Sequence, residues 1–411
     1  MNLTQKISPA NPLSIPCGDW RFSWRRLTAA ILRSALSFVV IAALLVVAAP
    51  RGACQTDLYD FTGGSDGRYP SSRLTFDGVG NLYGTTESGG LGFGTVFELS
   101  PDGHGGWNES VIYSFSGGLD GANPTYSPVI FDNVGNLYGT AYLGGAKRQG
   151  VVFRLTPTGG GGWNETVLHS FIGSKKDGGN PRGAIVLDAA GNIYGTTNGG
   201  NGTRGCVFEL SPAGGDAWME RILYGVEAGP GGLAMDATGN LFGTSRDKKV
   251  FELSPDGKGG WNARVIYIFE DGSIPLGTLA FDDAGNLFGT TYPGGAFNAG
   301  TVYKLSRGQN GWNEDTLQSF QRHAPNAFSP FAGLVLDAAG NIYGTTLSGG
   351  TFRGGTVFEL VAGGGGSYTL NIVANLRGAP YSGVIRDGSG NLYGTTNFGG
   401  SQYGVVYEAT P

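Results

Sequence analysis

Short apolar runs separated by turn residues dominate the chain, and residues 73–115 show the grammar once in full. RLTFD at 73–77 is followed by the turn Asp77-Gly78-Val79-Gly80-Asn81, then by LYGTT at 82–86, GTVFEL at 94–99 and SVIYSF at 110–115. Each run is about five or six residues long, rich in β-branched and aromatic side chains and bounded by turn formers, which is the pattern of a β-strand. It predicts four strands, A to D, joined by one tight turn and two Gly-rich loops. No segment combines apolar positions at helical spacing with capping residues, so no helix is expected there.

The unit recurs along the chain. The hexapeptide GN[LI][YF]GT starts at Gly80, Gly135, Gly191, Gly239, Gly285, Gly340 and Gly390, at intervals of 55, 56, 48, 46, 55 and 50 residues. Four antiparallel strands in about 50 residues make a propeller blade, and stacking blades in a ring buries sheet faces that one blade would leave exposed. The chain ends complete the count. Asp57-Leu58-Tyr59-Asp60-Phe61 matches strand D (VIYSF at 111–115, VLHSF at 167–171), whereas the final run, 405–409, matches strand C. The expectation is an all-β, seven-bladed β-propeller over 57–411, with four antiparallel strands per blade. The N-terminal strand completes the last blade and covers an open sheet edge.

Composition supports this reading. Glycine supplies 76 of the 411 residues, without a collagen period. Aromatic residues at 12% and charged residues at 14% are the reverse of a disordered chain. The cysteines, Cys17, Cys54 and Cys206, are too few for a disulfide framework. Residues 34–49, SALSFVVIAALLVVAA, follow Arg21, Arg25, Arg26 and Arg33, so 1–54 reads as a signal peptide or an N-terminal membrane anchor. Arg51 argues against lipidation at Cys54. The expected location is secreted, periplasmic or cell-envelope. Without 1–54 the chain has 21 basic and 31 acidic residues, net −10.

The GNLYGTT…GG…GTVFEL pattern over 57–411 resembles the Gloeo/Verruco (GloVer) tandem repeat of secreted bacterial proteins. The resemblance implies an extracellular repeat protein and carries no activity with it. The DxxGN turn is also similar, at fold level alone, to turns of NHL-type and lactonase-type propellers.

Repeated residues are read first as architecture. The turn aspartates Asp77, Asp132, Asp188, Asp236, Asp282, Asp337 and Asp387 give one carboxylate per loop, too few for calcium, and fit capping of their own turns. Trp107, Trp163, Trp218, Trp261 and Trp312 open strand D and suit packing between blades. Gly84 and its equivalents inside strand B suggest close approach of a neighbouring backbone or aromatic ring.

Chemistry is harder to find. Propeller enzymes work where strand A begins. There the chain has Ser72, Ser127, Gly183, Gly231, Gly277, Ala332 and Ser382, then Arg73, Pro128, Ala184, Gly232, Thr278, Gly333 and Gly383, with no carboxylate or histidine. His104, His169 and His323 fall in different units. No catalytic residue, metal site or cofactor is predicted.

The B–C and D–A loops share one face, with thirteen basic and eight acidic residues interleaved with aromatics. The predicted binding residues are Lys147, Arg148, Arg204, Arg246, Lys248, Lys249, Arg353, Tyr142, Tyr292 and Phe352. They suit an anionic polysaccharide or an acidic protein surface. Nucleic acid fits poorly with export and net negative charge, and a membrane would be met through an uncleaved N-terminus alone. The function expected is a binding or scaffold module. The alternative is a hydrolase or lactonase-like enzyme with a metal site at the central channel.

Overall fold

A computed structural model describes residues 55–199, 204–322 and 327–411. Residues 1–54, read from sequence as a signal peptide or anchor, lie outside these residues with Cys17 and Cys54, as does His323. The described residues form seven separate antiparallel sheets, the blades of a β-propeller. Blade 1 contains strand A at Thr75–Phe76, B at Leu82–Ser88, C at Thr95–Pro101 and D at Trp107–Ser114. Helical structure among the described residues is limited to the short turn Gly364–Gly366.

Strand A is shorter than the predicted 73–77, and the reason lies at the axis. Ser72 is buried there, and its hydroxyl accepts the strand B N–H of Thr85 at 3.0 Å, in place of a backbone ladder bond. Its carbonyl accepts the Thr395 hydroxyl of blade 7 at 3.2 Å. The same bond between neighbouring blades runs from Thr85 to Ser127, Thr290 to Ala332 and Thr345 to Ser382. The threonine that ends GN[LI][YF]GT thus stitches each of these blades to the next.

The ring closes as the terminal match predicts. Gln55–Asp60 pairs antiparallel with Val405–Ala409, beginning two residues earlier than expected, with Tyr59 opposite Val406 and a bulge between Asp57 and Tyr59. The Phe61 N–H donates to Gly404 O at 3.1 Å, and Phe61 is fully buried.

Packing explains the other repeated positions. A Cβ on Gly84 would lie 2.6 Å from the ring of Phe97, its partner on strand C, and Gly139 and Phe153 repeat the relation. The close neighbour is the blade's own aromatic ring. The tryptophans pack on the preceding blade: Trp163 on Tyr83, Trp107 on Tyr393, Trp261 on Tyr194 and Trp312 on Phe242, at centroid separations of 5.5–6.5 Å. Apolar clusters accordingly draw on two blades each, as where Tyr83 meets Phe153 and Leu155. Each fully buried aromatic ring is worth about 1.5–3 kcal/mol.

The turn aspartates have their oxygens filled by the turn itself. Asp132 Oδ1 accepts the N–H groups of Val134 and Asn136, and Oδ2 accepts the Asn136 amide and the Tyr138 hydroxyl. Gly135 sits at φ 91°, where a side chain would be strained.

Candidate functional site: the channel and its mouth

The D–A and B–C loops are hydrogen-bonded to each other and form one face. Tyr142 N–H donates to Asn123 O at 3.1 Å, Arg246 N–H to Glu227 O at 2.9 Å and Tyr292 N–H to Ile274 O at 2.8 Å. The chain then enters strand A and runs along the axis toward the turn aspartate. The residues six before that aspartate reach the channel mouth first, and here the blades differ. Tyr126 of blade 2, Phe331 of blade 6 and Tyr381 of blade 7 meet as a triangle of rings with centroids 6.1, 5.9 and 6.0 Å apart. Arg182 of blade 3 lies over the Tyr126 ring at 4.3 Å.

This cluster is electrostatically unusual. Tyr126 has φ 54°, the left-handed region that side chains seldom occupy and that functional sites often retain. Burial raises the Tyr126 pKa, opposed by the Arg182 charge. Burial lowers the pKa of Arg182, partly offset by Tyr126, with further lowering from the nearby Arg246. The Arg182 Nε is buried without a hydrogen-bond partner. Glu87 lies within electrostatic range, its carboxyl raised by burial against the pull of Arg182.

The ten residues predicted from sequence fall on blades 2 to 6 and do not converge on one point. Tyr142 and Arg246 are close enough to Arg182 to affect its charge. Lys147 and Arg148 are exposed on the loop of blade 2. Exposed Arg204 lies within electrostatic range of Lys249, which is already paired with Asp247 at 2.5 Å. Lys248 is half-buried at φ 68° in the same loop. Arg353 is exposed beside Phe352, whose ring carries the guanidinium of Arg377 at 5.1 Å. Tyr292 is part-exposed on blade 5.

Sequence counting began one position too deep. It recorded the small residues five and four before each aspartate and passed over the ring at six, where the aromatics and Arg182 stand. That ring has a signal: just before strand A, Ser71, Tyr126, Arg182, Pro230, Leu276, Phe331 and Tyr381 follow no repeating type, whereas the next position is small in every unit.

Below the mouth the channel opens into a lumen of about 580 Å³, lined by Arg73, Thr278, Arg386 and mostly apolar or small residues. Among the described residues no Asp, Glu or His lines it. Among the described residues no group of three or more His, Cys, Asp or Glu is placed to hold a metal ion. The lactonase-like alternative therefore finds no carboxylate or imidazole in the lumen. Cys206 is buried and burial pushes its thiol up to about 11, far from a reactive thiolate.

Fold and site together define a closed β-propeller with repeating blade cores and a non-repeating axial mouth. The chain belongs to the Gloeobacter/Verrucomicrobia repeat family, whose model matches residues 45–171, 94–249 and 246–411. No curated protein matches it in sequence. Among solved structures it is similar to the extracellular domain of a protein described as a hybrid two-component system from B. thetaiotaomicron. The TM-score is 0.53 at 15% identity, over 84% of this chain and 39% of that one. It is also similar to the extracellular domain of a protein described as a one-component system from the same organism, with TM-score 0.53 and 12% identity over 87% and 41%. The chain thus spans about two fifths of these structures. A gluconolactonase from Xanthomonas campestris superposes with TM-score 0.44 at 15% identity, over 87% and 89%. These likenesses concern the fold and carry no activity across. Among the described residues no helix is long and apolar enough to cross a membrane.

Proposed function

We propose that the protein is an exported binding or scaffold module that meets an anionic polysaccharide on its loop face, centred on the channel mouth. The observation that carries this is Arg182 stacked on Tyr126 beside Phe331, Tyr381 and Arg246. Aromatic faces pack on sugar rings, and guanidinium groups hold carboxylate or sulfate through paired N–H donors. Lys147, Arg148, Arg204, Lys248, Lys249 and Arg353, with Tyr142, Tyr292 and Phe352, form the outer part of this surface. Lys249 contributes least, because Asp247 already neutralises it. The extracellular origin of the two similar propellers supports export, as does the basic and apolar N-terminus.

The test is binding to polygalacturonate against neutral dextran. Affinity should fall steeply with salt as the Debye length shrinks from about 10 Å at 0.1 M to about 3 Å at 1 M. Arg182→Ser with Arg246→Ser should weaken binding about tenfold or more. Lys147→Ser with Arg148→Ser should weaken it about two- to threefold. Salt-insensitive binding, or equal loss from both pairs, would place the ligand elsewhere.

A further inference from the structure

The lumen beneath the mouth holds an unpaired arginine and no carboxylate among the described residues. Arg73 enters it from the segment leading into strand A of blade 1, two residues deeper than the mouth ring. Its surface is open to the lumen, yet protein surrounds it, and that enclosure lowers its guanidinium pKa with no opposing partner. No ion pair or hydrogen bond to Arg73 occurs among the described residues. At its level Ala184, Gly333 and Gly383 leave the side chain room, and further along Ile130, Val186 and Val335 provide apolar wall. Arg386 lines the same lumen with its Nε buried and unpartnered. A guanidinium stays protonated in proteins, and this one faces the lumen exposed and unpaired, with all its donors free. The lumen therefore offers an anion a free guanidinium with no carboxylate competing for it. The volume falls in the range of small-molecule pockets, with mostly apolar walls and a few polar groups, Arg73 and Arg386 among them.

We propose that this lumen is a receptor for one small monocarboxylate with an apolar or aromatic body, its carboxylate held by Arg73. The planar guanidinium offers a bidentate grip on the carboxylate, and the walls take the body. Tyr126, Phe331 and Tyr381 of the mouth also line the top of this lumen, so the two sites adjoin, and the Arg73 and Arg182 variants tell them apart.

The experiment is calorimetric titration of the full chain with benzoate, benzamide, glucuronate and inorganic phosphate, beside Arg73→Met, Arg73→Lys and Arg182→Ser. Benzoate should bind one to one. Benzamide, glucuronate and phosphate should bind at least about tenfold more weakly, since each lacks the charge or the apolar body. Arg73→Met should remove benzoate binding while melting stays unchanged, and Arg182→Ser should keep it. If Arg73→Met lowers melting, Arg73→Lys decides, because it keeps the charge and loses the fork. Weaker benzoate binding with normal melting supports the site, and equal affinity overturns it. Absence of benzoate binding overturns it too, as does benzamide, glucuronate or phosphate binding equally well. Loss on Arg182→Ser matching that on Arg73→Met would move the anion from the lumen to the mouth.

Discussion

Strands B and C and the inner edge of strand A lie side by side in every blade, yet they obey different rules. Along B and C one contact recurs around the ring, a strand B glycine against a strand C phenylalanine or tyrosine. Gly84 meets Phe97, Gly139 meets Phe153, and Gly195 meets Phe208. At the axis equivalent positions hold Ser71, Tyr126, Arg182, Phe331 and Tyr381. Repetition in the first layer is what stacking identical sheets demands, since each blade must fit the next. The second layer faces space rather than a neighbouring sheet, so packing does not dictate its residues. Positions that escape the repeat in a repeat protein are where binding is to be sought.

The largest way to break this contrast is to open the ring. Deleting residues 55–61 removes the strand D of blade 7, its ladder to 405–409 and the buried Phe61. At about 1 kcal/mol per ladder bond, with about 1.5–3 kcal/mol for the ring, the cost should be on the order of 5 kcal/mol or more. Thermal melting checks it, and unchanged melting would mean that closure contributes nothing.

Substitution within each layer sharpens the contrast. Gly139→Ala drives a methyl group into the Phe153 ring and should cost about 1–3 kcal/mol by denaturant unfolding. Tyr126→Gly relieves a left-handed backbone while losing ring contacts, so its stability should change by less than about 1 kcal/mol. Its polygalacturonate affinity should fall. Equal destabilisation by the two substitutions would erase the distinction between layers.

The smallest expected effect is a stability maximum on the acid side of neutrality. Between adjacent blades, burial and then the nearby Asp66, Asp120 and Asp177 push Glu109, Glu165 and Glu220 up to about 7. A carboxyl raised in this way binds its proton more tightly when folded. Its contribution is complete below the unfolded value of about 4.5 and is lost as pH climbs through about 7. The turn carboxyls behave oppositely. Burial opposes ionisation of Asp132, Asp236, Asp337 and Asp387, but hydrogen bonds led by Asn136, Asn240, Asn341 and Asn391 hold them below the usual aspartate range. Their contribution is present above about 3.9 and lost as pH falls through their folded values. Melting temperature should therefore peak between about pH 4 and 5 and decline by a few degrees toward pH 7. The decline is modest because these glutamates keep part of their surface in water. Flattening of the neutral side in Glu109→Gln with Glu165→Gln would assign it.

Much of the fold was legible because its causes are local and repeated. Asp-x-x-Gly-Asn forms its turn wherever it occurs, and the alternation of turns and apolar runs counts the blades. The spare strand at 57–61 was readable from its likeness to other D strands. The short strand A was not, since it results from axial bonds such as Thr395 to Ser72, far apart in sequence. The basic face was anticipated as a set of loops, but which of its charges gather was not. Arg73 stands out in the sequence as a charge among mostly small residues, but its lack of a partner does not.

The order of turns and strands, the number of blades and the means of closing the ring were written in the chain, because each depends on residues a few positions apart or on simple repetition. The meeting of Tyr126, Phe331 and Tyr381, the stacking of Arg182 and the isolation of Arg73 were decided by tertiary structure alone. Seven inner strands converging on one axis bring together residues with no local relation. The charge of an arginine acquires its consequence only when the surrounding walls are known.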